Sequence, residues 1–502
     1  MASRHALSAH SLSRQTERFA VFVLCALAGA RVFVFAAAFP FFNNVDERRH
    51  FDLVIKYSSG YFPRGPELIS PETLPYLAWY ASPEYLAVPE DLPGGDYGPF
   101  WTHPAEEVAP TIATVEQIWG RTPNQESSQP PLYYLAAGLW FDFGKLAGLK
   151  HGTLLYWTRL VNVPLAALLV WLSYVAAQRV FANRPDLRVA VPLLIAFLPQ
   201  DAFYGIENDV LSPICFGAAF ICLTRWLRED RYSLGLGVLT GITIAAAYLT
   251  KASNLPLVLV AFAAIAFCCF GQIRAGKLRH GAAALLALIF SALVPMAAWA
   301  IWTKINFGDF TGAATKAQLL GWTAKPIAQW WPHPIFTAAG FWTFSSELLA
   351  SFWRGEFMWH GHTIGSVWLN LFYVLSSIAL SAVAIGSLLL RRNPDPGQRR
   401  VLWLAAASVI AAVVFLALLS LQFDFGNCIN PSRARPYFFQ GRLMLGALVP
   451  FALVYVYGLD RLLQRWPFLL LPVLGVVMII VMAADAFANR VAFSSPYNWF
   501  HM

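Results

Sequence analysis

The sequence is poor in charged residues. Only 13% of its 502 residues are Asp, Glu, Lys or Arg, against about 25% in an average soluble domain. Hydrophobic residues make up 58% of the chain, and apolar runs of about 20 residues recur along it, which is the length that a helix needs to cross a bilayer. A helix also satisfies its own backbone hydrogen bonds in lipid. The sequence therefore predicts an all-α polytopic membrane protein.

Cysteine and nucleotide-binding motifs are also scarce. Five of the six cysteines lie inside apolar runs, and only Cys428 falls in a predicted loop, so we expect neither a disulfide framework nor a cysteine metal site. A GxxxxGK[ST] phosphate loop is missing, and nothing indicates nucleotide use. The formal charge of +8 is explained by arginines in short loops between apolar runs, a distribution typical of cytoplasmic loops. We therefore expect no nucleic-acid partner.

The distribution of charge predicts the orientation in the membrane. If the stretch 130–148 is a juxtamembrane helix on the surface, every arginine-rich short loop falls inside, as the positive-inside rule requires. The prediction is a single domain over 1–502 with about eleven transmembrane helices, a cytoplasmic N-terminus and an extracytoplasmic C-terminus. The first apolar run is longer than a signal-peptide core, which favours an uncleaved helix. The predicted spans are 18–40, 155–178, 188–205, 209–226, 233–249, 252–271, 281–304, 367–390, 401–421, 442–459 and 467–486.

Three long loops then lie outside the cytoplasm, at 41–154, 306–366 and 422–441. The first differs from the rest of the chain because residues 41–128 hold thirteen acidic residues against five basic ones. The second is rich in Trp and His, which favour the membrane interface. The third is basic and leads into Arg442 at the start of a late helix.

The strongest concentration of charge is the stretch 41–52, FFNNVDERRHFD, directly after the first apolar run. Of the adjacent carboxylates Asp46 and Glu47, one could accept a proton from an attacking hydroxyl and the other could bind a hard cation. His50 falls on the same side if this piece is helical. The alternative is an ordinary loop end in which Asn44 or Asp46 caps a helix, and residue types alone leave both open.

Other candidate residues fall on the same predicted side of the membrane. Asp209, within Glu207-Asn208-Asp209, either faces the cavity of Asp46 or caps a helix. Five cations could bind a phosphate, either that of ordinary lipids or that of a lipid substrate. They are Lys251, Arg354, Arg433, Arg435 and Arg442.

A divalent cation (Mg, Mn or Ca) is a further expectation. Glu47, Asp209 and His360 are its candidate ligands, although His360 and its neighbouring histidines lack the spacing of a zinc site. A structural role for His360 at an aromatic interface is the alternative.

These motifs resemble the membrane glycosyltransferases of the GT-C fold, which take a sugar from a polyprenyl-phosphate carrier and include protein O-mannosyltransferases and aminoarabinose transferases. The resemblance covers about the first 255 residues and the region 438–460. One departure is Gln129, where many relatives have His. The motifs are Asp46-Glu47 with His50, the run QPPLYY from Gln129, Arg159-Leu160-Val161, Asn208-Asp209, Thr250-Lys251 and Gln440-Gly441-Arg442.

The resemblance implies a glycosyltransferase of the bacterial cytoplasmic membrane with its active site on the extracytoplasmic face. It would transfer a hexosyl or pentosyl group from a polyprenyl-phosphate donor to a glycan, lipid or protein acceptor, with inversion. Asp46 would act as the base, and Arg442 and Lys251, with Arg433 or Arg435, would neutralise the phosphate. Glu47 and Asp209 would shape the cavity or hold a metal ion.

Two other functions remain as alternatives. A lipid-linked glycan polymerase or ligase would depend on outside arginines and histidine rather than on an acidic pair. A lipid or solute transporter is less favoured, because the sequence shows no pair of related halves with broken helices.

Overall fold

The computed structural model describes residues 13–91, 98–229, 232–274, 281–390, 395–428 and 430–502, and in these ranges the protein is almost entirely helical. The helices of the first half are α1 Arg14–Ala38, α2 Glu47–Ser58, α3 Leu74–Tyr80, α4 Ala105–Gly120, α5 Leu132–Leu146, α6 His151–Arg159, α7 Asn162–Val180, α8 Pro185–Ala196, α9 Ser212–Arg228 and α10 Leu234–Thr250. Those of the second half are α11 Leu255–Arg274, α12 Ala282–Phe307, α13 Ala313–Leu319, α14 Ala338–Arg354, α15 Val367–Leu389, α16 Pro396–Gln422, α17 Leu448–Leu462, α18 Leu470–Ala488 and α19 Arg490–Ser494.

The structure describes four strands, each of two residues and each in a loop. Strand β1 (Thr323–Ala324) pairs antiparallel with β4 (Phe423–Asp424). Strand β2 (Met358–Trp359) pairs antiparallel with β3 (His362–Thr363). The first pair joins the predicted second and third outside loops to each other.

Nine helical segments among the described residues are long and apolar enough to cross a membrane, which confirms an all-α polytopic membrane protein. Helix α5 is not among them, since its 15 residues rise only about 22 Å against a hydrocarbon core of about 30 Å. The nine are Arg14–Ala38, His151–Val180, Asn208–Arg228, Ala252–Arg274, Ala282–Phe307, Val367–Leu389, Pro396–Gln422, Gly441–Leu462 and Pro467–Ala488.

One predicted span is shorter in the structure than the sequence suggested, whereas the span predicted over 233–249 has its expected length. The helix predicted over 188–205 ends at Ala196, and an irregular segment leads into a short 3-10 turn, Asp201–Tyr204. Pro199 follows this end, and a proline disfavours helical backbone in the residue before it. Helix α10 has only 17 residues. The early end of α8 leaves Gln200 and Asp201 buried but outside an α-helix, at the start of the 3-10 turn.

Helix α17 lies at the centre of the bundle, with almost all of its residues buried. Helix α10 packs tightly on α12. The close approach is seen at Gly237, where a Cβ would clash with the Ala284 carbonyl, and at Gly241, where a Cβ would clash with the Ser291 hydroxyl. Small residues allow such close backbone approach between membrane helices.

Helix α5 is amphipathic and lies beside α2. Its inner face buries Tyr133 and Tyr134, while Leu139, Phe143 and Leu146 are each more than 60% exposed. These exposed positions follow a helical repeat and form one apolar stripe. Such a stripe is typical of a helix that lies in the membrane interface.

Candidate active site

The site begins at the turn between α1 and α2. Phe42 and Asp46 both have left-handed backbone, with φ of 64° and 65°. This conformation costs roughly 1–2 kcal/mol for a non-glycine residue, although Asp tolerates it better than most. Unfavourable backbone of this kind concentrates at functional sites, where the surrounding structure imposes it. The turn therefore sets the position of the Asp46 carboxylate at the cost of local strain.

Arg442 lies at the centre of four carboxylates, which together we name the Arg442 cluster. Its Nη2 donates to Asp46 Oδ2 at 2.8 Å, and its Nε donates to Glu356 Oε2 at 3.2 Å. Its Nη1 lies 3.4 Å from Glu207 Oε2 and 3.6 Å from Asp209 Oδ2. Three chain segments that are distant in sequence, around Asp46, residues 207–209 and Glu356, therefore meet on the guanidinium of Arg442.

Backbone contacts fix Arg442 in this position. The Gly441 N–H donates to the Ser351 hydroxyl at 2.9 Å, and a Cβ on Gly441 would clash with the backbone of Phe352. Only glycine permits this close approach of two backbones. The end of α14 thus determines where the guanidinium lies.

Lys251 adds a second buried cation to the cluster. It follows the last residue of α10, and its ammonium contacts Asp209 Oδ2, the same oxygen that faces Arg442. Asp209 Oδ1 has no hydrogen-bond partner among the described residues. Asp209 therefore contacts both cations through Oδ2, and Oδ1 can accept a further hydrogen bond.

The carboxylates of the cluster differ in electrostatics. Burial alone would raise the pKa of Asp46, but the charges of Arg442, Lys316 and Arg49 outweigh burial and hold that pKa below its ordinary value. Burial raises the pKa of Glu207 well above its ordinary value, and burial likewise raises the pKa of Glu356. The cations around Asp46 therefore favour its ionised form.

The structure corrects the predicted role of Glu47. Arg159 binds its carboxylate in a bidentate way, with both N–O distances at 2.7 Å, and both residues are fully buried. The backbone N–H groups of Phe42 and Ile206 donate to the same carboxylate, each at 3.0 Å. Both oxygens of Glu47 are therefore engaged by protein groups, which favours a structural ion pair over the predicted base or metal ligand.

His50 lies near the cluster and is bonded to a tyrosine of α5. Its Nδ1 is bonded to the Tyr134 hydroxyl at 2.7 Å. Burial lowers the pKa of His50 to about 4, so the ring is neutral. This bond joins α2 to α5, and the role of His50 in substrate binding stays a prediction.

The predicted phosphate-binding arginines do not all converge. Arg433 pairs with Asp424 at 2.8 Å, and Arg435 pairs with Glu347, both on the exposed surface. Arg354 donates to Asn370 at 3.0 Å and to the Gly355 carbonyl at 2.8 Å. Of the five predicted cations, only Arg442 and Lys251 contact the acids of the cluster.

The predicted metal ligands do not meet either. His360 lies in the turn between β2 and β3, and its backbone N–H bonds the Glu84 carbonyl at 2.7 Å. In the described ranges, no group of three or more His, Cys, Asp or Glu side chains could hold a metal ion. Within the cluster Arg442 and Lys251 already neutralise the carboxylates, so the donor set does not fit a divalent cation.

Several site residues were missed by sequence reasoning. Gln125 Nε2 donates to Asp46 Oδ1 at 3.1 Å. Lys316, in α13, pairs with Glu126 at 2.6 Å and lies close enough to lower the pKa of Asp46. Glu356 was also missed, although the sequence offered a signal for it, since it is one of only three acids in the loop 306–366.

Comparisons with known proteins give the following findings. Among curated proteins, none matches this sequence. Similar solved structures include the Archaeoglobus fulgidus oligosaccharyltransferase in complex with Zn and sulfate, with 13% identity, a TM-score of 0.44, and coverage of 95% of this chain and 53% of that chain. Another is AglB from the same organism in complex with an inhibitory peptide and a dolichol-phosphate, with 12% identity, a TM-score of 0.43, and coverage of 96% and 56%.

The chain spans about half the length of these two structures, and likeness at these TM-scores supports no conclusion about activity. A family model gives a firmer result. The model described as "Predicted membrane protein (DUF2142)" matches residues 31–429, which is most of the chain. The protein therefore belongs to the DUF2142 family of predicted membrane proteins.

Proposed function

We propose that this protein is an integral membrane glycosyltransferase that moves a sugar from a polyprenyl-phosphate donor to an extracytoplasmic acceptor, with inversion. The observation that carries the proposal is the part-buried contact between Asp46 and Arg442, at 2.8 Å. Such a transfer needs a carboxylate to accept a proton and a cation to stabilise the departing phosphate. The short motifs that resemble GT-C enzymes include both of these residues.

The phosphate of the donor would bind at Arg442 and Lys251. A guanidinium engages a phosphate through two parallel N–H bonds, and Arg442 has two terminal nitrogens directed at carboxylates. A bound phosphate competes with those carboxylates for the guanidinium. Lys251, which contacts the same Asp209 oxygen as Arg442, would place a second positive charge next to the leaving phosphate.

Asp46 would act as the base once the phosphate has engaged Arg442. Arg442 is the largest of the charges that depress the pKa of Asp46, so neutralising it raises that pKa toward the range useful for proton transfer. The acceptor hydroxyl attacks the anomeric carbon and gives its proton to Asp46. The bond from that carbon to the phosphate oxygen breaks, and its electron pair leaves with the lipid phosphate.

The acceptor would be a glycan, a lipid or a protein, and the sugar a hexosyl or pentosyl group. The apolar surface between the helices would hold the prenyl chain among membrane lipids. The membrane would be a bacterial cytoplasmic membrane, with the cluster on its outer side.

This orientation gives a direct prediction. A phosphatase reporter fused after Gly148 reads extracytoplasmic, because α5 is too short to cross and the acidic loop before it lies outside. A fusion after Glu229, next to Arg225 and Arg228 at the end of α9, serves as the control and reads cytoplasmic. A cytoplasmic reading after Gly148 would contradict the proposed face.

A binding experiment separates the glycosyltransferase from a glycan polymerase or ligase. The Arg433→Gln/Arg435→Gln double variant binds polyprenyl phosphate within about twofold of the wild type, because both arginines pair with surface acids outside the cluster. The Arg442→Lys variant binds about tenfold more weakly, because an ammonium cannot replace a bidentate guanidinium.

The measurement is titration of the purified protein in nanodiscs with polyprenyl phosphate, and phosphatidylglycerol serves as the control anionic lipid. Loss of binding in the double variant with normal binding in Arg442→Lys would favour the polymerase or ligase.

A further inference from the structure

Glu356 reaches Arg442 from a segment without helical structure. It lies two residues after the end of α14, in the segment that continues into β2 and β3. The turn between these strands is held at its tip, where the Gly361 N–H bonds the Tyr85 carbonyl at 3.1 Å. A carboxylate on such a segment keeps its position only if its own backbone is also held.

Asp201 supplies that support from the segment after α8. Its carboxylate accepts the backbone N–H of Phe357. It also lies directly against Gly355, which has φ of 85° and ψ of −156°, and a Cβ on Gly355 would overlap the Asp201 carboxylate. The residues on both sides of Glu356 are therefore in contact with one buried side chain.

The neighbouring residue holds the end of α14 in the same way. The Gln200 amide donates to the carbonyls of Ser351 and Phe352, at 3.1 and 2.9 Å. The Ser351 hydroxyl in turn accepts the N–H of Gly441, next to Arg442. Gln200 and Asp201 thus connect to both partners of the contact between Glu356 and Arg442.

Several charged and ionisable groups lie near Asp201. Burial raises the pKa of Asp201 to about 7, and the charge of Glu356 is the next cause. Arg354 at the end of α14 acts in the opposite direction. The other ionisable groups near Asp201 are Tyr373 on α15, Asp485 on α18, and Tyr204 and Glu207 of the following segment.

We propose that Asp201 is a positioning residue for the transfer, which holds Glu356 against Arg442 and does so best as the neutral acid. The proposal rests on the proposed function. A neutral Asp201 accepts the Phe357 N–H without repelling the Glu356 carboxylate, whereas an ionised Asp201 places two like charges side by side.

The sign of the pH dependence follows from the raised pKa of Asp201. The folded protein binds this proton more tightly than the unfolded chain does, so the stabilisation is fully present below about pH 4 and is lost as pH rises through about 7. We therefore expect the placement of Glu356 to weaken above neutral pH.

The first test is the pH profile of sugar transfer. The wild-type rate falls above about pH 7, and the Asp201→Asn variant lacks this fall, because Asn keeps the acceptor oxygen and cannot ionise. The Asp201→Ala variant loses the contact and is slower by about tenfold or more at every pH, as expected when a site group is misplaced. The control is Asp309→Asn, an acid of the second outside loop that also accepts backbone N–H groups, which keeps the wild-type profile.

Two results would overturn the proposal. One is an Asp201→Asn profile that superimposes on that of the wild type. The other is an Asp201→Ala rate within twofold of the wild type at all pH values.

A second measurement does not depend on activity. Hydrogen exchange of the Glu356 and Phe357 amides at pH 6 becomes about tenfold faster in Asp201→Ala, and remains at the wild-type rate in Asp201→Asn and Asp309→Asn. If the protein transfers sugar from no polyprenyl-phosphate donor, the proposed function fails. The hydrogen-exchange rates still decide whether Asp201 holds the segment around Glu356. Unchanged exchange in Asp201→Ala shows that it does not.

Discussion

The Asp46→Asn variant transfers sugar about 10³-fold more slowly than the wild type, while it folds and inserts normally. The magnitude follows from the loss of a general base, which contributes roughly 10²–10⁴-fold. Asn is suited to the test because it tolerates left-handed backbone nearly as well as Asp, and its side-chain oxygen can still accept the Gln125 amide. The change therefore removes the proton acceptor and leaves the turn intact.

The measurement is release of polyprenyl phosphate from a labelled donor by protein in proteoliposomes, with melting temperature as the test of folding. Asp142→Asn is the matched control, because Asp142 is a partly exposed acid of α5 that pairs with Lys145 at 3.6 Å. Transfer by Asp46→Asn above about a tenth of the wild-type rate, in a protein that melts normally, would remove Asp46 from the proposed mechanism.

The Glu47→Leu variant loses about 3–5 kcal/mol of stability, because Arg159 is left as a buried and unpaired charge. Both side chains are almost fully inaccessible, so water cannot replace the lost carboxylate. The effect is expected to be much larger than that of breaking the exposed pair of Asp142 and Lys145, for which about 0–1 kcal/mol is typical. The measurement is the unfolding free energy in detergent micelles.

A double-mutant cycle tests the same pair more strictly. The Glu47→Leu/Arg159→Met variant recovers part of the loss, since replacing both members of a buried ion pair by apolar residues is often tolerated. Recovery is incomplete because Arg159 also donates to the carbonyls of Ala36, Phe39 and Pro40 at the end of α1. A Glu47→Leu variant no less stable than Asp142→Leu would contradict the structural role of Glu47.

The fold was predictable from sequence where apolar runs are uninterrupted. The predicted span 367–390 corresponds to Val367–Leu389, and 467–486 lies within Pro467–Ala488. The prediction was too long at 188–205, because hydropathy does not register that the run contains Pro199 and Gln200. Charge patterning predicted a surface helix over 130–148, and this location of α5 stays a prediction.

The site was harder to predict, because charged neighbours in sequence have different partners in space. Asp46 and Glu47 are adjacent, yet one contacts Arg442 and the other Arg159. The left-handed backbone at Asp46 separates the two side chains, and no pattern in the sequence predicts this backbone conformation.

The arginines before α17 show the same difficulty. Arg433, Arg435 and Arg442 look alike in sequence. Acids close to the first two in space, Asp424 and Glu347, hold them at the surface, and only the three-dimensional fold reveals these pairings.

The short length of α10 has a consequence for the shape of the surrounding membrane. Seventeen residues rise about 25 Å, several ångströms less than the thickness of a typical hydrocarbon core. A helix shorter than the hydrocarbon core can be matched by a bilayer that thins around it. In such a bilayer Lys251, at the end of α10, would lie at the bottom of a local depression. A lipid-linked phosphate would meet its cation there without lifting its isoprenoid chain out of the membrane.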